Sequence, residues 1–148
     1  MNTILIVEDV NETRKWLCEI VRSAFPECEI REAATMRAGL AAAAEANYDL
    51  ALIDLGLPDG SGLEVLRSLC LVCPQAVPIV TTVMGDDASI VSALSAGAQG
   101  YLLKENPVEL LTRQLLQLAE GIPAISPSVA RRIMEHFRRT GPAASPDG

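Results

Sequence analysis

Leu50-Ala51-Leu52-Ile53-Asp54-Leu55-Gly56-Leu57-Pro58-Asp59-Gly60 sets four apolar residues against one acid, then a turn rich in glycine and proline. An apolar run without period-two alternation suits a strand covered on both faces. The Gly/Pro/Asp chemistry that follows ends the strand at the acid, so Asp54 is delivered to the mouth of a buried strand. The arrangement recurs three times. Ile4-Leu5-Ile6-Val7 runs into Glu8-Asp9, Ile79-Val80 into Thr81-Thr82, and Tyr101-Leu102-Leu103 into Lys104. Four strands that each end on an acid, hydroxyl or amine predict one shared site.

Helical and extended signals alternate along the rest of the chain. Strands are predicted at 3–8, 28–32, 49–54, 77–82 and 100–103, the second short and polar as an edge strand would be. A helix is predicted over 11–24, capped by Asn11, with Leu17, Ile20, Val21 and Ala24 on one face. Others follow at 35–46, capped near Thr35, at 61–72, stopped by Pro74, and at 86–96, ended by Gly97. A fifth has Pro107 at its first position and runs to Glu120, ended by Gly121. Such short connections between parallel strands require right-handed crossovers. The expected fold class is α/β, a doubly wound five-stranded parallel sheet, in which ligands bind beyond the carboxyl ends of the strands.

Residues 1–120 form the expected domain and 121–140 a linker. The linker carries a further helix over 128–139, with Val129, Ile133 and Phe137 at i, i+4 and i+8 and four arginines (Arg131, Arg132, Arg138, Arg139) elsewhere on its surface. The tail 141–148 has linker composition and is expected to be disordered.

Net charge is −7, which disfavours binding nucleic acid across the whole surface. Residues 121–148 hold the four arginines against Glu135 and Asp147, a balance of +2 that leaves −9 for residues 1–120. No run approaches the length of a bilayer span and Met1-Asn2-Thr3 leads directly into a strand. A cytoplasmic protein without membrane partners is expected, with Cys18, Cys28, Cys70 and Cys73 as reduced thiols and the Cys70/Cys73 pair packed at a helix end.

Glu8, Asp9 and Asp54 at neighbouring strand ends repel one another, which a protein tolerates when a divalent cation lies between them. All-oxygen ligation suits Mg²⁺, which takes one or two carboxylates, several waters and a phosphate oxygen. The chemistry is then metal-assisted phosphoryl transfer to a carboxylate, with Lys104 as a point charge for one phosphoryl oxygen and the Thr82 hydroxyl as donor to another. Singly, each residue has an ordinary explanation as a helix cap, a solvated surface group or packing. Their joint appearance at four strand ends does not. Asp59, Asp86 and Asp87 are assigned to turns and helix starts beside the site.

The segments Ile4-Leu-Ile-Val-Glu-Asp9, Asp54-Leu-Gly-Leu-Pro-Asp-Gly-Ser-Gly62, Ile79-Val-Thr-Thr82 and Ala96-Gly-Ala-Gln-Gly-Tyr-Leu-Leu-Lys104 closely resemble the receiver domain of two-component response regulators. The resemblance implies a flavodoxin-like strand order 2-1-3-4-5, with Asp54 as phosphoacceptor for a sensor histidine kinase. It implies Asp9 as a direct Mg²⁺ ligand, Glu8 acting through metal-bound water, and the Gly56 backbone carbonyl as a further ligand beside Asp54. Thr82 would be the switch hydroxyl, by its 22-residue step to Lys104, and Tyr101 the aromatic that moves inward with it. Val83, where the family usually has a very small residue, would narrow access to Asp54.

Leu118 to Arg139 resembles the linker that follows receivers of the LuxR/NarL type. That implies control of transcription through a helix-turn-helix DNA-binding domain absent from these residues, and homodimerisation on phosphorylation. The alternative is a stand-alone receiver acting by phosphotransfer or protein contact. A hydrolase using an aspartate nucleophile would want a second acid two residues on, where this chain has Gly56 after Asp54 and Asn11 after Asp9. The expected chemistry is thus that of a signalling phosphoacceptor and not of a turnover enzyme.

Overall fold

The computed structural model describes residues 2–83, 87–122 and 125–140. The expected start of a helix at Asp86 and the expected disorder of 141–148 lie outside them, as does the side chain of Arg139.

Five strands form one parallel sheet: β1 (Thr3–Val7), β2 (Glu29–Ala33), β3 (Leu50–Asp54), β4 (Val77–Thr82) and β5 (Gly100–Leu103). They lie in the order β2-β1-β3-β4-β5, the doubly wound order expected. Helices α1 (Asn11–Ala24), α2 (Met36–Glu45), α3 (Gly62–Val72), α4 (Asp87–Ser95) and α5 (Val108–Ala119) connect and cover the strands, and α6 (Pro127–Thr140) follows. Gly56–Leu57 and Gly60–Ser61 add a two-stranded antiparallel hairpin between β3 and α3.

The uninterrupted apolar runs are buried on both faces of the sheet. Ile4, Ile6, Leu50, Leu52, Ile79 and Leu102 pack with Leu17, Ile20 and Val21 of α1 and Leu111, Leu115 and Leu118 of α5. Leu5, Val7, Ala51, Ile53, Val80 and Tyr101 pack on the opposite face with side chains of α2, α3 and α4. Each fully buried Ile, Leu or Val contributes about 1.5–3 kcal/mol, so both layers hold the strand ends in fixed register.

Helix ends follow local chemistry, with two corrections. Thr35 caps α2 by accepting the Ala38 N–H at 3.0 Å, and Ser61 caps α3 by accepting that of Leu63 at 3.1 Å. Asn11, expected as a cap, is instead the first residue of α1. Val10 occupies the cap position without a side-chain bond, and Asn11 Oδ1 accepts from Arg14 Nη2 at 2.7 Å. Pro107 is the cap of α5, not its first residue, and its carbonyl accepts the Leu111 N–H at 3.0 Å. Gly97 and Gly121 end α4 and α5 at φ +121° and +83°, left-handed conformations that favour glycine.

α6 packs against α4 and begins one residue before the predicted helix. Val129 and Ile133 face the core as expected, whereas Phe137 is half exposed. Arg131, Arg132 and Arg138 are exposed. All four cysteines are unpaired thiols. Cys73 is buried at the end of α3, where its sulfur accepts the Tyr48 N–H at 3.3 Å.

Candidate functional site

The carboxyl ends of β1, β3, β4 and β5 converge. The Glu8 N–H donates to the Ala33 carbonyl at 2.9 Å, carrying the β1–β2 ladder one residue beyond the strand. That fixes Glu8 in the sheet plane with 0% of its surface exposed. Its Oε2 accepts the Val10 N–H at 3.1 Å, which closes the acid loop ahead of α1. Arg14 Nη1 braces the same loop by donating to the Glu8 carbonyl at 2.9 Å.

Asp54 pairs with Thr81 across the sheet. Its Oδ1 accepts the Gly56 N–H at 3.2 Å, which orients the carboxylate. Lys104 follows β5, and its N–H donates to the Thr82 carbonyl at 2.8 Å. Lys104 Nζ lies 2.7 Å from Glu8 Oε1 and 3.3 Å from Asp54 Oδ2. One ammonium therefore spans two strand ends.

One carboxylate oxygen from each of Glu8, Asp9 and Asp54 lies within 4.8 Å of the others. A like-charge pair at that separation costs about 3.5 kcal/mol at an effective dielectric of 20. Burial, reinforced by the charge of Asp54, holds the Glu8 carboxyl above its ordinary range, although Lys104 and the Val10 N–H pull the other way. Burial by itself would depress Lys104, but its contacts with Glu8 and Asp54 outweigh that and hold its ammonium above the ordinary lysine range.

Three carboxylates make a hard, all-oxygen donor set. Ligand oxygens around Mg²⁺ at about 2.0–2.1 Å are spaced by about 3–4 Å, within a small adjustment of the spacing here. The donor set fits such a cation.

Thr82 is buried at the end of β4, opposite Leu103 of β5 and one residue beyond the partner of Asp54. Thr81 is also buried, and its Oγ1 has no hydrogen-bond partner among the described residues. Ile79 and Val80 belong to opposite layers, so Thr81 and Thr82 alternate as expected. Val83 is half exposed just past the strand. Gly56 is exposed at the start of the hairpin, where it pairs with Ser61. Asp59 stands aside from the acids: its two oxygens accept the N–H groups of Met36 at 2.6 Å and Arg37 at 3.1 Å at the start of α2. Asp87 is the first residue of α4.

Tyr101 is only 6% exposed. Its hydroxyl accepts the Ser126 N–H at 2.8 Å and donates to Ser126 Oγ at 3.2 Å. Sequence reasoning did not single out Ser126. Ser126 before α6 with Pro127 as its first residue is a helix-start signature, and the Val129 N–H does donate to Ser126 Oγ at 3.3 Å.

Known proteins resemble the chain in both sequence and fold. Residues 4–116 match the response regulator receiver domain family. The KDP operon transcriptional regulatory protein KdpE of Escherichia coli K12 is 41% identical over 107 residues, covering 70% of this chain and 45% of that protein. A LuxR-family two-component response regulator from Aurantimonas sp. SI85-9A1 superposes with a TM-score of 0.77 at 26% identity, covering 92% of this chain and 97% of that one. A CheY-like receiver domain protein from Methanospirillum hungatei JF-1 superposes with a TM-score of 0.70 at 31% identity, covering 82% and 96%. The chain spans about half the length of the first curated relatives it matches. The converging acids and lysine, the strand order and the matched segment all agree: the chain belongs to the receiver domain family of two-component response regulators.

Proposed function

We propose that Asp54 accepts a phosphoryl group from the phosphohistidine of a sensor histidine kinase. The observation that carries this reading is the convergence on one hollow of Asp54, Glu8, Asp9 and the Lys104 ammonium, which lies 3.3 Å from the acceptor carboxylate. An Asp54 oxygen attacks phosphorus in line as the P–N bond breaks, and the imidazole leaves with the electron pair and takes up a proton. The Gly56 N–H on Oδ1 keeps the carboxylate in one orientation. Lys104 is placed to pair with the new phosphoryl oxygens.

Mg²⁺, held by Asp9, Asp54 and the Gly56 carbonyl with Glu8 acting through water, would neutralise phosphoryl charge. The recess of 350 Å³ bounded by Glu12, Thr13, Trp16 and Lys104 opens beside these groups and offers the donor protein a route to them.

Phosphorylation adds about −1.5 to −2 charge. Thr82 turns its hydroxyl toward that charge, and Tyr101 follows into the vacated space. The relatives' names support transcription control as the output; in this reading it is exerted through a DNA-binding domain beyond these residues, with homodimerisation on phosphorylation. In this reading the chain is a cytoplasmic signalling phosphoacceptor whose only chemistry is its own phosphorylation and dephosphorylation.

The test is label uptake from a histidine kinase or a small acyl phosphate with Mg²⁺ present. Wild type should approach one phosphoryl group per chain, and Asp54→Asn should take up none. Wild-type stoichiometry in the variant would overturn the assignment.

A further inference from the structure

We propose that Tyr101 and Ser126 form a latch that holds α6 on the receiver in the resting state, and that phosphorylation opens it. The proposal rests on the phosphoacceptor reading of Asp54, but the latch itself stands on contacts already described.

Tyr101 lies in β5 between two regions. On one side are Leu103, paired with Thr82, and Lys104 at the acid hollow. On the other, the Tyr101 hydroxyl makes both of its hydrogen bonds to Ser126, as acceptor from the main chain and donor to the side chain. Ser126 Oγ in turn caps the first turn of α6 through the Val129 N–H. Val129, 1% exposed, then inserts into the core layer that contains Tyr101, Ile90 and Ala93. One aromatic hydroxyl and one buried valine thus both hold the start of α6.

Beyond that point the described apolar side chains of α6 are more exposed. Ile133 is partly buried, and Met134 and Phe137 are at least half exposed. A cavity of 260 Å³ lined by Tyr101, Leu103, Asn106, Gln114, Ile125 and Ser126 flanks the ring. Gln114 Oε1 is buried beside it with no hydrogen-bond partner among the described residues. That space lies on the Ser126 side of the ring, so close packing does not lock the Tyr101–Ser126 pair there.

When the ring follows Thr82 inward, its hydroxyl withdraws from Ser126. The linker N–H and the capping hydroxyl lose their bonds to Tyr101 together, and the exposure of α6 rises. The bistable element is the Tyr101 ring, and α6 is what it releases.

Hydrogen exchange of the α6 amides in the whole chain tests this, with Tyr101→Phe as the decisive variant because it keeps the ring, the Ser126 cap and the core contact. Without any phosphoryl donor, Tyr101→Phe and Ser126→Ala should each speed α6 exchange about fivefold or more, while β1 and β3 amides stay unchanged. Mg²⁺ with beryllofluoride should raise wild-type α6 exchange to the level of Tyr101→Phe and leave that variant unaltered. Unchanged α6 exchange in Tyr101→Phe would overturn the latch. So would unchanged wild-type exchange when Trp16 fluorescence reports that beryllofluoride has bound. Absence of any Trp16 response would instead strike at the phosphoacceptor reading, and the two variants alone would then decide the latch.

Discussion

Replacing Gly62 by alanine should damage both stability and phosphorylation, because no room for a Cβ exists where α3 begins. An ideal Cβ there would lie 2.0 Å from the Asp54 carbonyl oxygen, 2.9 Å from its carbon and 3.0 Å from Leu55 Cα. All three are backbone atoms of the segment that carries Asp54, so no flexible side chain can yield. The Gly62 N–H also donates to the Leu55 carbonyl at 3.0 Å, which ties the two segments at the point of closest approach. Relieving the overlap requires about 1 Å of backbone movement, and overpacking of this kind costs about 3 kcal/mol. With a urea slope of about 2 kcal/mol/M, the unfolding midpoint should fall by about 1.5 M. A reacting group misplaced by about 1 Å loses about 100-fold in rate, so phosphate uptake should slow in proportion. Gly56→Ala is the control, since nothing lies within 4 Å of its added Cβ; its midpoint should stay within about 0.3 M of wild type. A Gly62→Ala chain that unfolds and is labelled like wild type would refute the packing argument.

Thr82→Ala should accept phosphate at the wild-type stoichiometry yet show little change in oligomeric state or Trp16 fluorescence with beryllofluoride; an undiminished response would count against its switch role. Asp49→Asn should lower stability near neutrality. The Asp49 carboxylate accepts the N–H groups of Asn2 at 2.7 Å and Thr3 at 3.1 Å, and these bonds hold its carboxyl below the ordinary range. A depressed carboxyl contributes stability above its unfolded pKa and loses it as pH falls through the folded one. Urea titrations of wild type and variant should therefore converge from about pH 4 downward, and a gap that widens toward acid would contradict the assignment.

The sheet was legible because four of its five strands are apolar without alternation, and each of those runs ends on a group that cannot be buried without a partner. Convergence of Glu8, Asp9, Asp54 and Lys104 followed from the carboxyl-end rule once the strands were parallel. The ion pair from Lys104 to Glu8 was less accessible, since it depends on how far β5 extends relative to β1. The span of α1 was read correctly, but its cap was misplaced by one residue, because Glu8 takes the Val10 N–H and Arg14 takes the Asn11 side chain, competition that a propensity does not register. The hairpin of Gly56–Leu57 with Gly60–Ser61 has two-residue strands, too short for any period. The Tyr101–Ser126 contact joins residues 25 apart in sequence, a tertiary pairing that no local signal encodes.

Charge explains why one hollow can both hold its groups at rest and respond. Three carboxylates and one ammonium leave a formal −2 among the strand ends, with Glu8 fully buried and Lys104 its charged partner. Lys104 is committed more closely to Glu8, at 2.7 Å, than to Asp54, at 3.3 Å. In the resting chain it is therefore chiefly a counter-ion that makes the buried acid tolerable. A phosphoryl group on Asp54 would present more negative charge and three acceptors to the same Nζ, so the lysine must redistribute toward it. Its backbone cannot follow freely, because the Lys104 N–H is bonded to the Thr82 carbonyl. Any shift of the lysine is then shared with the strand end that carries Thr82, and with Tyr101 three residues back along the chain. The same hydrogen bond that completes the sheet thereby links the charge at Asp54 to the ring that holds α6.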